Sequence, residues 1–237
     1  MTIQPVSQYG GAYHRVMVKD NYVYAVKSGG LVVVNVSDPI KPKEISFCPL
    51  NRIVNLCLSD DYLYVADIGG LKIFDITNPT CLNLKGKIDL DEKIQDFYIS
   101  NGYAYLTLGK NGLYVINVND PTNPVIRGKL KTGGFAEGLC VSNNHAYIAD
   151  VSGLKIAYVK NPSNPFLVGR LGVPGWPKDI WVSNGYAYVV DVVGLKILDV
   201  RNPSKPTLKG YLSNPTWKTT RIWVRDNYAY VADEANG

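Results

Sequence analysis

Methionine, histidine and long apolar runs are scarce in this sequence, and each shortage excludes something. The 237 residues include two Met and two His. No apolar run approaches the roughly 18 residues that a membrane-spanning helix needs, so no membrane span is expected. Met1 to Gly11 has neither a basic stretch nor an apolar core and does not read as a signal peptide. The formal charge is +5, but Lys and Arg are scattered along the chain. No basic run is available to follow a phosphate backbone, so nucleic acid is not an expected partner. The motifs HExxH, GxSxG, the phosphate loop and the dinucleotide glycine pattern are all missing, and no cofactor is implied.

What is present is apolar and turn-rich. Hydrophobic residues make up 46% of the chain, with 17 Tyr, 22 Gly and 14 Pro. This fills a core and interrupts it often, which suits short strands better than long helices.

The chain repeats itself. The pair Tyr-x-Tyr occurs at Tyr22/Tyr24, Tyr62/Tyr64, Tyr103/Tyr105, Tyr186/Tyr188 and Tyr228/Tyr230, with His145/Tyr147 filling the gap. Successive copies lie 40, 41, 42, 41 and 42 residues apart. A second marker, Asp-Pro or Asn-Pro at Pro39, Pro79, Pro121, Pro162 and Pro203, keeps steps of 40, 42, 41 and 41. Two independent markers sharing one period define a repeat.

Each unit resolves into four short alternating segments. Turn pairs such as Asp20-Asn21, Asn101-Gly102 and Asn184-Gly185 accept the positive φ of a tight hairpin. Asx-Pro ends the third segment, because proline donates no hydrogen bond and pushes its predecessor out of the helical region. Four strands per 41 residues predict an all-β fold, a β-propeller of about six four-stranded blades. The whole of 1–237 reads as one propeller domain, with blades starting near 12, 52, 93, 135, 177 and 219. In the first strand, Val16, Leu56, Phe97, Leu139, Ile180 and Ile222 should face one neighbouring blade, as should Val18 and its counterparts two residues on. Met17, Cys57, Tyr98, Cys140, Trp181 and Trp223 should face the other. Cys48 and Cys81 complete the cysteines. None has CxxC spacing, and residues at one position of separate blades lie too far apart to bridge, so four free thiols are expected.

The third segments carry a family resemblance. Leu31-Val32-Val33-Val34-Asn35, Leu71-Lys72-Ile73-Phe74-Asp75, Leu113-Tyr114-Val115-Ile116-Asn117 and Leu195-Lys196-Ile197-Leu198-Asp199 resemble the LVIVD repeat, with Tyr158 in place of the acid in blade four. The resemblance implies a β-propeller of a kind often secreted or attached to the cell surface, and no shared activity. Six first and second strands are present but only five third strands, so the last blade is expected to lack one strand. Gln4 to Tyr9 resembles a fourth strand, and residues 1–10 are expected to close that blade. An incomplete blade would leave an edge open to fraying or to self-association.

Candidate chemistry is thin. His145 occupies a tyrosine position and reads as structural. Asp67, Asp150, Asp191 and Asp233, which recur at the end of the second strand, read as turn residues, as do Asp75 and Asp199. Asp89, Asp91 and Glu92 lack the spacing of a calcium loop and read as a solvated acidic turn. The position seven before the tyrosine marker departs most from the repeat: Arg15, Asn55, Asp96, Gly138, Asp179 and Arg221. Near it lie the aromatics Tyr13, Phe135, Trp176 and Trp217, with Glu137 and Lys178. Of these, Phe135 is expected to pack rather than bind. The candidate ligand-binding set is Tyr13, Arg15, Asp96, Trp176, Asp179, Trp217 and Arg221. The expected function is a non-catalytic binding or scaffold module for a protein, a carbohydrate or a small ligand. The alternative is a metal-dependent, lactonase-like hydrolase with its site at the channel mouth, built on Asp96, Asp179 and His14.

Overall fold

A computed structural model describes residues 13–213 and 218–234. Every described element is a strand, and the strands fall into sheets in chain order. The first sheet is β1 (Tyr13–Lys19), β2 (Tyr22–Lys27), β3 (Gly30–Asn35) and β4 (Lys43–Pro49). The second is β5 (Asn55–Ser59), β6 (Tyr62–Asp67), β7 (Gly70–Asp75) and β8 (Asn83–Asp89). The third is β9 (Asp96–Ser100), β10 (Tyr103–Thr107), β11 (Leu113–Asn117) and β12 (Val125–Leu130). The fourth is β13 (Ala136–Ser142), β14 (His145–Asp150), β15 (Gly153–Tyr158) and β16 (Phe166–Leu171). The fifth is β17 (Pro177–Ser183), β18 (Tyr186–Asp191), β19 (Gly194–Asp199) and β20 (Thr207–Ser213). The sixth holds two described strands, β21 (Thr219–Arg225) and β22 (Tyr228–Asp233).

The third strand expected to be missing from the last blade is absent among the described residues. The fourth strand read into residues 1–10 lies outside them. The described chain forms two compact units, one reaching to Lys93 and including Asp120–Pro124, the other holding Ile94–Asn119 and the rest from Val125.

The turn chemistry follows the residues. Asp20, Asp60, Asn101, Asn184 and Asp226 all take positive φ at the first hairpin of their blades. After each third strand, the Asx side chain before proline accepts a backbone N–H two residues on, as in Asn78 to Thr80 (3.1 Å), Asp120 to Thr122 (2.9 Å) and Asn202 to Ser204 (3.1 Å). The recurring acids behave as turn residues. Asp67, Asp150 and Asp191 each accept the N–H two residues ahead at 2.9 Å.

Packing between sheets is two-faced. In the first unit, Tyr24, Val26, Leu31 and Val33 of the first sheet meet Leu56, Leu63, Val65 and Phe74 of the second. In the second unit, Tyr105, Leu113 and Val115 meet Leu139, Val141 and Ile148. Cys140, Tyr147, Leu154 and Ile156 then meet Ile180, Val189 and Leu198, and Trp181, Tyr188 and Val190 meet Ile222, Val224 and Val231. The face assignment made from the first strand holds in these interfaces. It fails on two faces, because Val16 and Val18 are 54% and 60% exposed on one face of the first sheet and Trp223 is 44% exposed on one face of the sixth. Within their own units, no described sheet covers those faces.

One close approach ties neighbouring blades together. A bulge opposite the fourth strand recurs in all five four-stranded sheets, between Val33 and Val34 and at the equivalent pairs up to Ile197 and Leu198. Just after it the fourth strand places Ser46, Gly86, Gly128, Gly169 or Gly210. A Cβ on Gly86, Gly128 or Gly169 would lie 2.2, 2.2 or 1.9 Å from the carbonyl oxygen of Pro121, Pro162 or Pro203, which belongs to the next blade's Asx-Pro turn. Glycine is required there by space. Gly169→Ala should therefore destabilise the protein by about 2 kcal/mol through overpacking, read as a lower urea midpoint at unchanged slope.

Candidate functional site

The residues seven before the tyrosine marker sit where the first strand starts, and a bulge aims several of them. Register shifts lie between Tyr13 and Arg15, Ala136 and Leu139, Pro177 and Asp179, and Thr219 and Arg221. Each shift interrupts the pairing next to one member of the set, which is how bulges re-aim side chains. Gly138 is constrained by its neighbour, since a Cβ there would lie 2.6 Å from Asp179 Cα.

Three of the predicted residues meet. The Arg221 guanidinium lies 3.3 Å from Asp96 Oδ2 and 3.6 Å from Asp179 Oδ1. Backbone groups complete the cluster: the Leu139 N–H donates to Asp96 Oδ2 at 3.2 Å, Ile222 N–H to Asp179 Oδ2 at 2.9 Å, and Ile180 N–H to Asp179 Oδ1 at 2.9 Å. Both aspartates are buried. Burial and then the Asp96 carboxylate push Asp179 up to about 6, although Arg221 and the two N–H donors pull the other way. The two carboxylates hold Arg221 above its ordinary value despite its burial.

A second group surrounds Trp176. Its Nε1–H donates to Glu137 Oε1 at 2.8 Å, and Lys178 Nζ lies 3.1 Å from the same oxygen. The Lys178 ammonium also sits 5.2 Å from the centroid of the indole. The ring is held by its edge and remains 51% exposed. Thr107 links the two groups: its hydroxyl donates to the Glu137 carbonyl and accepts the Asp96 N–H at 3.1 Å. Thr107 was not among the predicted residues. Its signal was a break in pattern, for it stands four after the tyrosine marker, where the other copies carry the apolar Val26, Ala66, Ala149, Val190 and Ala232.

The other predicted residues fall elsewhere. Tyr13 lines an apolar groove of the first unit with Val16, Val23 and Val34. Arg15, in the same unit, donates to the His14 carbonyl at 3.1 Å. Trp217 lies outside the described residues. Phe135 packs over Gly109, whose added Cβ would sit 2.7 Å from the ring. The His145 ring engages the Asn143 carbonyl at 2.8 Å and lies 5.2 Å from the Tyr158 ring, a structural role. Asp89 is exposed beside Lys87, as a solvated turn should be. The cysteines are free, and burial pushes the Cys140 thiol up to about 12. Among the described residues, no three His, Cys, Asp or Glu side chains gather at metal-binding spacing, and no helix is long and apolar enough to cross a membrane.

Comparison with known proteins agrees with this architecture. The LVIVD repeat model matches residues 10–48, 54–89, 93–132, 133–172, 174–214 and 218–237. The chain belongs to the LVIVD-repeat family. None of the curated proteins matches it. Among solved structures, the computationally designed Ika8 protein is similar with a TM-score of 0.76 at 12% identity, over 94% of this chain and 69% of that one. BamB from Moraxella catarrhalis gives 0.66 at 12% identity, over 93% and 66%. A chain of the nidogen/laminin complex gives 0.64 at 13% identity, over 90% and 85%. At such identities the likeness shows the fold, which is propeller-like.

The cluster makes two predictions. Because the folded-state pKa of Asp179 is raised from 3.8 to about 6, the folded protein binds the proton more tightly than the unfolded chain. Its contribution to stability is full below pH 4 and lost as pH rises through about 6. Asp179→Asn should remove that fall, on the order of 2 kcal/mol, from denaturation curves taken between pH 4 and 7. Arg221→Met should destabilise by about 3 kcal/mol at pH 8 by leaving two buried carboxylates without their cation. The loss should be smaller at pH 5, where one carboxyl can protonate.

Proposed function

We propose that this chain is a non-catalytic recognition module. Trp176 is its contact platform, and the Asp96–Arg221–Asp179 cluster is the rigid base that aligns the strands beneath. The observation that carries this reading is the state of the indole. It is anchored through Nε1 to Glu137 and flanked by Lys178, yet half its surface faces solvent. A large apolar ring held in one orientation loses little entropy on binding, which is why such rings serve as anchors for peptides and sugars. A chain of the nidogen/laminin complex offers a structural parallel, since a protein similar in fold was solved in a complex with another protein.

The hydrolase alternative is supported less. Asp96 and Asp179 share one guanidinium and accept three backbone N–H bonds between them. This leaves little lone-pair capacity for a cation. Stoichiometric Ca²⁺ or Zn²⁺ in the purified protein would count against the binding-module reading.

The test is to screen the purified protein on a glycan array and against a random-peptide display library, then to repeat every positive with Trp176→Ala. Loss of at least about tenfold in affinity, some 1.4 kcal/mol, is expected for a central aromatic anchor. Unchanged affinity for all positives would remove Trp176 from the site.

A further inference from the structure

The residue after the third-strand leucine, or the one opposite it, is a cation in four blades, and in three of them it has a partner. In the second sheet Lys72 pairs with Asp67, while Lys87, directly opposite Lys72, pairs with Asp89 at 2.8 Å. In the third, Lys129 lies 4.5 Å from the centroid of the Tyr114 ring opposite it. In the fifth, Lys196 pairs with Asp191. The fourth sheet sets Lys155 directly opposite Arg170. Among the described residues, neither of these two side chains has a hydrogen-bond, ion-pair or ring partner.

Both missing partners have a structural cause. Asp150 stands five residues before Lys155, as Asp67 and Asp191 stand before Lys72 and Lys196. Its Oδ2, the oxygen those lysines take, accepts the Thr132 hydroxyl at 2.7 Å instead. Its Oδ1 accepts the N–H and the hydroxyl of Ser152 at 2.9 and 2.7 Å. Two residues beyond Arg170, where blade two carries Asp89 beyond Lys87, the chain has Gly172. A Cβ on Gly172 would meet nothing within 4 Å. Asp150 is the only acid between Glu137 and Asp179, and it is fully buried. Residues directly opposite in a sheet hold their Cβ atoms about 4.5–5.5 Å apart on one face, where like charges repel. Lys155 is half-buried there and Arg170 is exposed.

We propose that Lys155 and Arg170 form a seat for a phosphomonoester group. Arg170 offers paired N–H donors that match two phosphate oxygens, and Lys155 adds a compact charge on a third. Charge selects the ligand. Two cations without an acid match the roughly −1.5 to −2 charge of a monoester at pH 7, whereas a carboxylate or a phosphodiester leaves one cation unbalanced. The bound anion also relieves the repulsion across the strand pair. Open space beside Gly172 gives the group room. The seat lies within the second unit, on a sheet packed on both faces. It uses neither Trp176 nor the Asp96–Arg221–Asp179 cluster, so it stands or falls separately from the recognition face.

The experiment is calorimetric titration of the intact protein with methyl phosphate at pH 8 and low ionic strength. One saturable site is expected, with dimethyl phosphate bound at least about tenfold more weakly. Lys155→Gln and Arg170→Gln should each weaken methyl phosphate at least about tenfold. Their melting temperatures should be unchanged or higher, because each removes a like-charge repulsion. Gly172→Asp, which supplies the carboxylate that blade two has, should also abolish binding, and Gly172→Asn should retain it. Parallel titrations with glucose 6-phosphate and with a phosphoserine peptide distinguish a small metabolite from a phosphorylated chain as the source of the group. Binding of none of the three monoesters, equal binding of dimethyl phosphate, or binding indifferent to Arg170→Gln or Gly172→Asp would each overturn the proposal.

Discussion

Burial of each sheet on both faces is the constraint from which the rest of this structure follows. A four-stranded sheet of about 41 residues has no core of its own, and its stability comes from the sheets beside it. That is why Met17, Cys140 and Trp181 occupy a position that a one-sided sheet would give to polar residues. It is also why the fourth strand needs glycine at Gly86, Gly128 and Gly169. At those three positions the blades approach so closely that a backbone carbonyl meets a backbone without a side chain. Where no described sheet of the same unit follows, valines and aromatics of the same pattern are exposed.

The same geometry makes the candidate site. First strands that lie side by side bring their starting residues close together, and a bulge there frees the side chains from strict alternation. In the second unit, two acids and one arginine drawn from β9, β17 and β21 form a buried ion cluster. Such a cluster contributes little net stability beyond what an apolar plug would give, because desolvation offsets most of the attraction. Its value lies in registration, since each carboxylate also holds the backbone of a neighbouring strand.

Much of the fold could be read from the residues because the period is carried by two markers with separate physical causes. Tyrosine pairs fill the second strand, and Asx-Pro stops the third. The turn roles of Asp67, Asp150 and Asp191 followed from recurrence alone. Faces in the first strand were assigned correctly where a neighbour exists. They were misjudged for Val16, Val18 and Trp223, which are exposed, because alternation records which way a side chain points and not how much of it a described neighbour covers. The candidate site was legible in part: one departing repeat position named Asp96, Asp179 and Arg221 together. That Arg221 would bridge both acids depends on distances across separate blades, which no local pattern encodes. Thr107 was missed because a threonine at a strand end is unremarkable until its hydroxyl is seen joining Asp96 to Glu137.

Native-state hydrogen exchange, resolved by residue, tests the two-sided packing most directly. Amides of β14 and β18, in sheets with a neighbour on both faces, should exchange only through global opening. Those of β22, which has one partner strand among the described residues, should exchange orders of magnitude faster. Equal protection of β14 and β22 would contradict the account, because stability would then not come from sheets packed on either side.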